Sequence, residues 1–253
     1  MSSWALVTGA TSGIGESFTR LLASNKYNVV LVARDLPRLQ ERAQGLEAKY
    51  GIKTHVIQAD LATDEGCLKV EKHILENQID VLINNAGIGA QGGVEAATTE
   101  EWNKVLNINV IGTSRVTAAA LPLLRKSTDA AIVNTCSVVA TVGLPKRAIY
   151  SASKGAILSL TLAMAADLLP EKIRVNCVNP GTAETPWIDR LLSQAADPAK
   201  ERAALEARQP MGRLVSADEV ANAIIYLAHP GQKSTTGTVL AVDGGLHSLN
   251  LPK

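Results

Sequence analysis

Short apolar runs recur along the chain and give the first indication of its architecture. Each run consists mainly of Val, Ile, Leu and Ala, and its hydrophobicity is continuous rather than alternating. Such continuity is typical of strands that are buried on both faces of a parallel sheet. We therefore predict seven strands, at Ala5–Thr8, Val29–Val32, His55–Ala59, Val81–Asn84, Ala131–Thr135, Arg174–Asn179 and Thr238–Val242.

Helix-length segments separate these strands, and two of them begin with a capping-box pattern. In this pattern a Ser or Thr bonds the backbone N–H three residues later, and a Glu there bonds back. The two pairs are Thr98 with Glu101 and Ser216 with Glu219. Strands that alternate with helices predict a doubly wound α/β sheet with right-handed crossovers. No linker, repeat or low-complexity segment divides the sequence, so we predict a single domain over residues 1–253.

Composition argues against several classes of protein. Hydrophobic residues make up 46% of the 253 residues, charged residues 19%, and the net charge is +1, which argues against disorder and nucleic-acid binding. The cysteines (67, 136 and 177) are widely spaced and the histidines lack ligand spacing, so neither disulfides nor a metal site are predicted. No run approaches the ~20 apolar residues of a membrane span, and no signal-peptide pattern opens the chain. We expect a cytoplasmic protein that does not bind membranes.

A glycine-rich stretch follows the first predicted strand. Residues 8–15 read TGATSGIG, with glycines at positions 9, 13 and 15, and a helical segment (Glu16–Ala23) comes next. The glycines permit a tight turn, close approach of a pyrophosphate and close packing of helix on strand. The helix N-terminus offers free N–H groups and a positive dipole to the phosphates. The stretch therefore predicts a dinucleotide-binding site.

The end of the second strand bears on which dinucleotide binds. An acidic residue there would accept hydrogen bonds from a ribose 2′-hydroxyl and repel a 2′-phosphate. The sequence has Ala33 at that position, followed by Arg34, whose guanidinium can bind a phosphate with two hydrogen bonds. We therefore favour NADP(H). In the alternative, Arg34 is solvated, Asp35 binds the ribose and the cofactor is NAD(H).

Polar residues near three further segments are candidates for ligand contacts. Asp60 follows the third strand and could accept a hydrogen bond from an adenine amine. The NNAG run, residues 84–87, ends the fourth strand and suits a loop whose backbone passes close to a ligand. Asn109 lies in an otherwise apolar helical segment (Val105–Val110), where an amide needs a partner. It could satisfy backbone groups only, or connect a carbonyl to a water beside Lys154.

Ser137, Tyr150 and Lys154 form a candidate catalytic set. Tyr150 and Lys154 are one helical turn apart, so their side chains lie on one face of a helix. A phenol with a pKa of about 10 is a poor acid or base at pH 7, and a neighbouring ammonium favours its phenolate form. Ser137, after the fifth strand, can hold a substrate oxygen. The set predicts proton transfer at a C–O group; the alternative for the Tyr–Lys pair alone is an ordinary pair on a surface helix.

Together these motifs resemble the short-chain dehydrogenase/reductase family over essentially the whole chain. TGxxxGIG, NNAG, Asn109, Ser137, Tyr150-x-x-x-Lys154 and PG-x-x-x-T (Pro180 to Thr185) stand in that family's order and spacing. The resemblance implies a Rossmann-type sheet with strand order 3-2-1-4-5-6-7, no metal, and a homodimer or homotetramer. It also implies that Tyr150 is the general acid/base, that Lys154 lowers its pKa and binds the nicotinamide ribose, that Ser137 positions the substrate oxygen, and that Asn109 supports a proton relay. The implied cofactor-binding residues are Gly9, Thr11, Ser12, Gly13, Ile14, Gly15, Arg34, Asp60, Leu61, Asn85, Ala86, Gly87, Tyr150, Lys154, Pro180, Gly181, Thr182 and Thr185.

The second half of the chain has a narrower resemblance. The segments GLPKRAIYSASK, NPGTAETP, EARQPMGR and TTGTVLAVDGG resemble 2-keto-3-deoxy-L-fuconate dehydrogenase and the type 2 3-hydroxybutyrate dehydrogenases. Those relatives use NAD and carry an acidic residue where this chain has Ala33. Arginines hold a substrate carboxylate in them; Arg147 and Arg208 match these positions directly, and Arg190 matches if one residue is skipped. The alternative is that these arginines are solvated or pair with neighbours such as Glu206 or Asp189.

This resemblance favours a small hydroxy acid or sugar acid as the substrate. Two amphipathic segments (Ile188–Ala195 and Pro198–Ala207) predict a substrate lid at about residues 187–209. Two other functions remain open: reduction of 3-oxoacyl thioesters or of carbonyls in general, and nucleotide binding by a regulator without catalysis. The complete Asn, Ser, Tyr and Lys set favours an enzyme, because binding alone does not require a tuned phenol.

Overall fold

The computed structural model describes residues 3–74 and 78–250. Within these residues seven strands lie where the apolar runs predict them, with bounds that differ by one residue at most at each end. Two further strands, β7 and β8, are two residues long and were not predicted. The strands are β1 (Trp4–Thr8), β2 (Asn28–Ala33), β3 (Thr54–Gln58), β4 (Val81–Asn84), β5 (Ala131–Thr135), β6 (Arg174–Pro180), β7 (Ala183–Glu184), β8 (Val215–Ser216) and β9 (Val239–Val242).

The main sheet is parallel throughout and has the order β3-β2-β1-β4-β5-β6-β9. This order confirms the expected Rossmann-type arrangement, with β9 in the seventh place. The strands β7 and β8 pair with each other in a separate two-stranded parallel sheet. This small sheet attaches the loop after β6 to the segment before the last long helix.

Helices cover both faces of the sheet. Within the described residues they are α1 (Gly13–Ser24), α2 (Leu36–Tyr50), α3 (Asp64–Ile74), α4 (Thr99–Leu106), α5 (Gly112–Leu124), α6 (Ala148–Leu168), α7 (Pro186–Ser193), α8 (Pro198–Ala207) and α9 (Ala217–Ala228). A π-helical turn, Asn107–Ile111, joins α4 to α5. Both predicted capping boxes are present, at the start of α4 and of α9.

Two hydrophobic layers enclose the sheet, which explains the continuous apolar runs. In β1, Ala5 and Val7 pack into the layer that contains Phe18 of α1 and residues of α2 and α9. Leu6, between them, packs into the opposite layer with Val116 of α5 and residues of α3 and α6. Successive side chains of a strand point to opposite faces, so a strand covered on both faces is apolar at most of its positions.

The helix α6 is more apolar than the sequence analysis allowed. By length and composition the segment Ala148–Glu171 could cross a membrane, with a mean hydropathy of 1.4, so the expectation that no segment approaches this limit is wrong. The inner face of α6 packs on β6 and buries Lys154. Its outer face exposes Leu162, and Leu169 just after the helix is exposed too. The helix therefore buries one face against the sheet and leaves the opposite face exposed.

Candidate active site

The carboxyl ends of the parallel strands open into one cavity of about 1040 Å³. Ligands of open α/β sheets bind at this edge, where the direction of strand order reverses. The cavity brings together the glycine-rich turn after β1, the NNAG loop after β4, Ser137 after β5 and the loop after β6. All of the predicted site residues line it except Gly15 and Asn109, which lie behind its wall.

The glycine-rich turn has no room for a side chain at position 9 or 15. A Cβ on Gly9, whose φ is +66°, would lie 2.9 Å from Asn85 Nδ2 and 3.0 Å from Ala86 Cα. A Cβ on Gly15 would lie 2.0 Å from the Gly9 carbonyl oxygen, so Gly15 serves the packing of α1 on β1 rather than the cavity surface. Gly13 also has a positive φ, of +56°. The turn therefore presents bare backbone at the N-terminus of α1, as binding of a pyrophosphate requires.

The NNAG loop is locked to this turn by hydrogen bonds. The Thr8 hydroxyl accepts hydrogen bonds from the backbone N–H groups of Asn85 (2.9 Å) and Ala86 (3.0 Å). The Asn85 side-chain amide donates to the carbonyl oxygens of Thr8 and Gly9, each at 3.2 Å. Asn84 turns away from the cavity and donates to Thr117 Oγ1 and Asn134 Oδ1, each at 2.9 Å. Of the two asparagines, only Asn85 lines the cavity.

Arg34 and Asp35 lie at the end of the cavity beyond β2. Asp35 is the N-cap of α2: its Oδ1 accepts from the Arg38 N–H at 3.1 Å, and its Oδ2 is 3.4 Å from Arg38 Nε. Arg34 forms no ion pair among the described residues and lines the cavity. Sequence reasoning missed Arg38, which also lines the cavity. Its place in the first turn of α2, directly after the end of β2, could have indicated that it reaches the same site.

Asp60 lies on the wall opposite the glycine-rich turn. Its Oδ1 accepts a hydrogen bond from the Ala62 N–H at 3.0 Å, which fixes the carboxylate and leaves the second oxygen for a ligand. Leu61 lines the cavity beside it.

Ser137, Tyr150 and Lys154 line the same part of the cavity. Lys154 is buried, and its Nζ donates to the Thr135 carbonyl at 2.7 Å and lies 5.9 Å from the centre of the Tyr150 ring. It forms no ion pair among the residues that the structure describes. Ser137 Oγ accepts from the Val139 N–H at 3.4 Å, so its own proton is free to donate. The ammonium is thus held on the tyrosine side of the cavity by a carbonyl, which leaves its charge uncompensated.

Asn109 lies in the π-helical turn, one layer behind the cavity. Its Oδ1 accepts from the Ile88 N–H at 2.8 Å, and its Nδ2 donates to the Ile88 carbonyl and to Ser153 Oγ, each at 3.0 Å. A Cβ on Gly87 would lie 3.2 Å from Asn109 Oδ1 and 3.7 Å from Lys154 Nζ. The side chain thus satisfies backbone groups, and it fixes the loop that passes over Lys154.

The three arginines surround the far end of the cavity. Arg147 donates to the Ala90 carbonyl at 3.2 Å and lies 5.4 Å from the ring centre of Trp187. Burial, followed by the like charge of Arg208, lowers the pKa of the Arg147 guanidinium. No ion pair involves Arg147, Arg190 or Arg208 within residues 3–74 and 78–250.

Glu206 and Asp189, the alternative partners suggested for these arginines, form no ion pair with them in the described part of the chain. Glu206 pairs with Arg202 at 2.9 Å rather than with Arg208, and Asp189 forms no ion pair in the described part of the chain. Sequence reasoning missed Trp187, which lines the cavity beside Arg147. Its position as an aromatic residue at the start of the predicted lid could have indicated that Trp187 belongs to the site.

Cys136 also lines the cavity, although it is only 2% exposed. It packs with Ile157 and Cys177 in a small core. Hydrogen bonding to Cys136, followed by burial, raises the pKa of Cys177. All three cysteines are buried and free, and the described residues contain no cluster of three His, Cys, Asp or Glu side chains that could hold a metal ion.

Comparisons with known proteins agree with this geometry. A family model described as enoyl-(acyl carrier protein) reductase matches residues 9–247. The chain is 36% identical over 247 residues to 3-oxoacyl-(acyl-carrier-protein) reductase from Thermotoga maritima, covering 95% of this chain and 96% of the relative. It is 33% identical over 243 residues to dehydrogenase/reductase SDR family member 6 from Rattus norvegicus, covering 95% of each. A solved structure of L-sorbose reductase from Gluconobacter frateurii with NADPH and L-sorbose has a TM-score of 0.93 and 30% identity over 98% of each chain.

Proposed function

We propose that this chain, which belongs to the short-chain dehydrogenase/reductase family, is an NADP(H)-dependent oxidoreductase that interconverts a secondary alcohol and a ketone. Membership of the family and the relatives make it an NAD(P)-dependent dehydrogenase or reductase. The observation that carries the finer proposal is the meeting of Ser137, Tyr150 and Lys154 with the glycine-rich turn in one cavity.

The cavity fits a dinucleotide along its whole length. Bare backbone at the turn and at the N-terminus of α1 would hold the pyrophosphate, Asp60 the adenine and Lys154 the nicotinamide ribose. Thr185, in the loop after β6, would contact the carboxamide. A Cβ on Gly13 would lie 3.2 Å from Thr185 Cγ2, so the proposed pyrophosphate and nicotinamide regions adjoin. The nicotinamide supplies or accepts the hydride when it is bound.

The protein's own side chains move the proton. In reduction, the Tyr150 hydroxyl donates its proton to the substrate oxygen, and in oxidation the phenolate removes it. Ser137 donates a hydrogen bond to the same oxygen and so orients the substrate. Lys154, whose Nζ lies 5.9 Å from the centre of the Tyr150 ring, would hold the nicotinamide ribose beside the Tyr150 hydroxyl. Asn109 acts by holding Ile88 and the loop above Lys154, from where it supports proton relay.

NADP(H) is favoured over NAD(H) by the residues at the end of β2. Arg34 and Arg38 line the cavity there, and the one nearby carboxylate, that of Asp35, is engaged as the cap of α2. Guanidinium groups bind phosphate oxygens strongly. Solved relatives with NADPH bound, such as L-sorbose reductase and actinorhodin polyketide ketoreductase, support this choice.

A small carboxylate-bearing substrate is favoured by the opposite end of the cavity. Arg147, Arg190 and Arg208 line it without ion-pair partners in the described part of the chain, and guanidinium groups match the geometry of a carboxylate. The second half of the chain also resembles hydroxy-acid and sugar-acid dehydrogenases. We propose residues 187–209 as the lid within a single domain, because α7 and α8 pack on each other through Ile188 and Leu205 and because Arg190 and Arg208 of this segment line the cavity.

A second candidate function is the reduction of 3-oxoacyl thioesters. It is favoured by the 36% identity to a 3-oxoacyl-(acyl-carrier-protein) reductase. Assays with acetoacetyl-CoA and with free 3-oxobutanoate separate the two functions, since only a thioester reductase prefers the former. A regulator without catalysis is the weakest candidate, because such a protein does not need an ammonium beside a phenol.

Tyr150→Phe should lower kcat by at least ~100-fold, the usual contribution of a general acid or base. Affinity for NADP(H) should change little, because only the hydroxyl is removed. Lys154→Met should reduce both turnover and cofactor affinity. Steady-state kinetics and cofactor titration measure the two effects, and Tyr226→Phe, at an exposed tyrosine of α9, is the control. A Tyr150→Phe enzyme that keeps most of its turnover would contradict the mechanism.

The double variant Arg34→Ala, Ala33→Asp should shift cofactor preference from NADP⁺ to NAD⁺. Arg34 should contribute about 1.5–3 kcal/mol to binding of a 2′-phosphate, and the new carboxylate should repel it. Calorimetric titration with both cofactors measures the preference. The double variant lowers the net charge by two, so the control is Arg125→Ala with Lys126→Ala, at two exposed positions after α5 that do not line the cavity. Tighter binding of NAD⁺ than of NADP⁺ by the wild type would rule out the proposed cofactor.

Arg147→Ala and Arg208→Ala should each raise KM for 3-oxobutanoate more than for its methyl ester. The ester lacks the negative charge, so the difference isolates the guanidinium–carboxylate contact. Arg202→Ala is a matched control, because Arg202 lies in α8 but pairs with Glu184 and Glu206. Equal activity of the wild type on acid and ester would exclude the carboxylate preference and leave a general alcohol or ketone oxidoreductase.

We further propose a homo-oligomer, a dimer or tetramer, formed through the exposed apolar side of α6. Leu162→Glu should shift the protein towards monomers in sedimentation velocity, because a buried charge opposes association. Leu68→Glu, at an exposed leucine of α3, should not. A monomeric wild type would disprove the assembly.

The three buried free cysteines fit a reducing compartment, and we propose that the protein is located in the cytoplasm. Cell fractionation tests this location.

A further inference from the structure

Gln209 is a buried amide at the junction between the lid and the loop after β6. It follows Arg208 directly at the end of α8, yet it is only 1% exposed. Its Nε2 donates to the Arg213 carbonyl at 2.5 Å and to the Thr182 carbonyl at 3.4 Å. Its Oε1 is buried without a hydrogen-bond partner. A long polar side chain in such a place needs an explanation, since glutamine is usually exposed.

The loop after β6 is shaped around this amide. A Cβ on Gly181 would lie 2.1 Å from Gln209 Oε1, so no larger residue fits there while the amide keeps its position. The Thr182 carbonyl also accepts from the Val215 N–H at 3.0 Å, next to the pairing of β7 with β8. One side chain thus joins three segments: the end of α8, the loop after β6, and the segment that precedes β8.

This junction connects the two functional ends of the cavity. The loop from Gly181 leads to Thr185, which adjoins Gly13 and which we assign to the nicotinamide. Arg208, the neighbour of Gln209 in sequence, lines the end of the cavity that we assign to the substrate carboxylate. A displacement of the Gln209 amide would therefore move Thr185 and Arg208 together.

We propose that Gln209 is a positioning residue that holds the Gly181–Thr185 loop in the conformation that binds the nicotinamide end of the cofactor and ties this loop to Arg208. The inference rests on the proposed function. Gln209 touches neither reactant; it acts through the carbonyl of Thr182. The carbonyls of Arg213 and Thr182 both accept from its Nε2, and among side chains of this length the amide can donate to them without carrying a charge.

The donor requirement predicts a distinct response to two substitutions. Gln209→Met keeps the length and approximate volume but donates no hydrogen bond. Gln209→Glu places a carboxylate against two carbonyl oxygens, which repel it when it is ionised. Burial raises the pKa of such a carboxyl, and so does the hydrogen bond that its neutral form can donate. Lowering the pH therefore protonates the carboxyl and restores one hydrogen bond. A role in filling space alone would produce no such dependence on pH.

Calorimetric titration with NADP⁺ tests the proposal without turnover. At pH 8, Gln209→Met should raise Kd for NADP⁺ by about five- to tenfold, the size of one net hydrogen bond. Gln209→Glu should bind at least as weakly at pH 8 and should recover towards the wild-type Kd at pH 5.5, with the wild type measured at each pH. Gln194→Met, at an exposed glutamine that caps α7, should bind like the wild type.

Two outcomes overturn the proposal: a wild-type Kd for Gln209→Met, or weak binding by Gln209→Glu that does not recover at low pH. Thermal unfolding establishes that each variant is folded, and if Gln209→Met does not fold, the pH series of Gln209→Glu decides. Preference of the wild type for NAD⁺ would overturn the cofactor proposal instead. The series is then repeated with NAD⁺, because the nicotinamide end of both cofactors is the same.

Discussion

The close packing that excludes a Cβ atom at Gly9 and Gly15 in the glycine-rich turn is the constraint on which the rest of the site depends. The Gly9 carbonyl and the position of a Gly15 Cβ would be only 2.0 Å apart, so α1 can start at the sheet edge only if residue 15 has no Cβ. The same turn lies against Asn85 and Ala86, which the Thr8 hydroxyl holds in place. The next residue, Gly87, adjoins both Asn109 and Lys154. A continuous series of contacts therefore connects the proposed phosphate end of the cavity to the proposed catalytic end.

Charge is distributed along the cavity in a way that suits an anionic cofactor and an anionic substrate. Arg34 and Arg38 lie at one end, Lys154 near the middle, and Arg147, Arg190 and Arg208 at the other. Of these six cations only Arg38 has an ion-pair partner in the described residues, Asp35 at 3.4 Å. Elsewhere on the surface arginines pair readily, as Arg125 does with Glu171 and Arg213 with Glu219. Like charges left without partners destabilise a protein, so their concentration in a single cavity supports the proposal that the cofactor and the substrate are both anionic.

The proposed lid is connected to the cofactor region by specific contacts rather than by chain continuity alone. Arg202 pairs with Glu184 in β7, Trp187 stacks near Arg147, and Gln209 bonds the Thr182 carbonyl. These contacts come from α7, from α8 and from the residue after α8, and they converge on loops that line the cavity. A substrate that draws the arginines together therefore acts on the same loops that would hold the nicotinamide.

The sequence by itself determined the architecture and most of the residues around the cavity. Strands buried on both faces are apolar at most positions, and helix caps require particular side chains, so both are visible in the order of residues. It could not show that Asn84 turns into the core while Asn85 faces the cavity, or that α6 leaves an apolar face uncovered. Nor could it show that Asp35 caps α2 or that Gln209 reaches Thr182. These features depend on contacts between segments distant along the chain, and only the packing of the tertiary structure decides which partner each polar side chain meets.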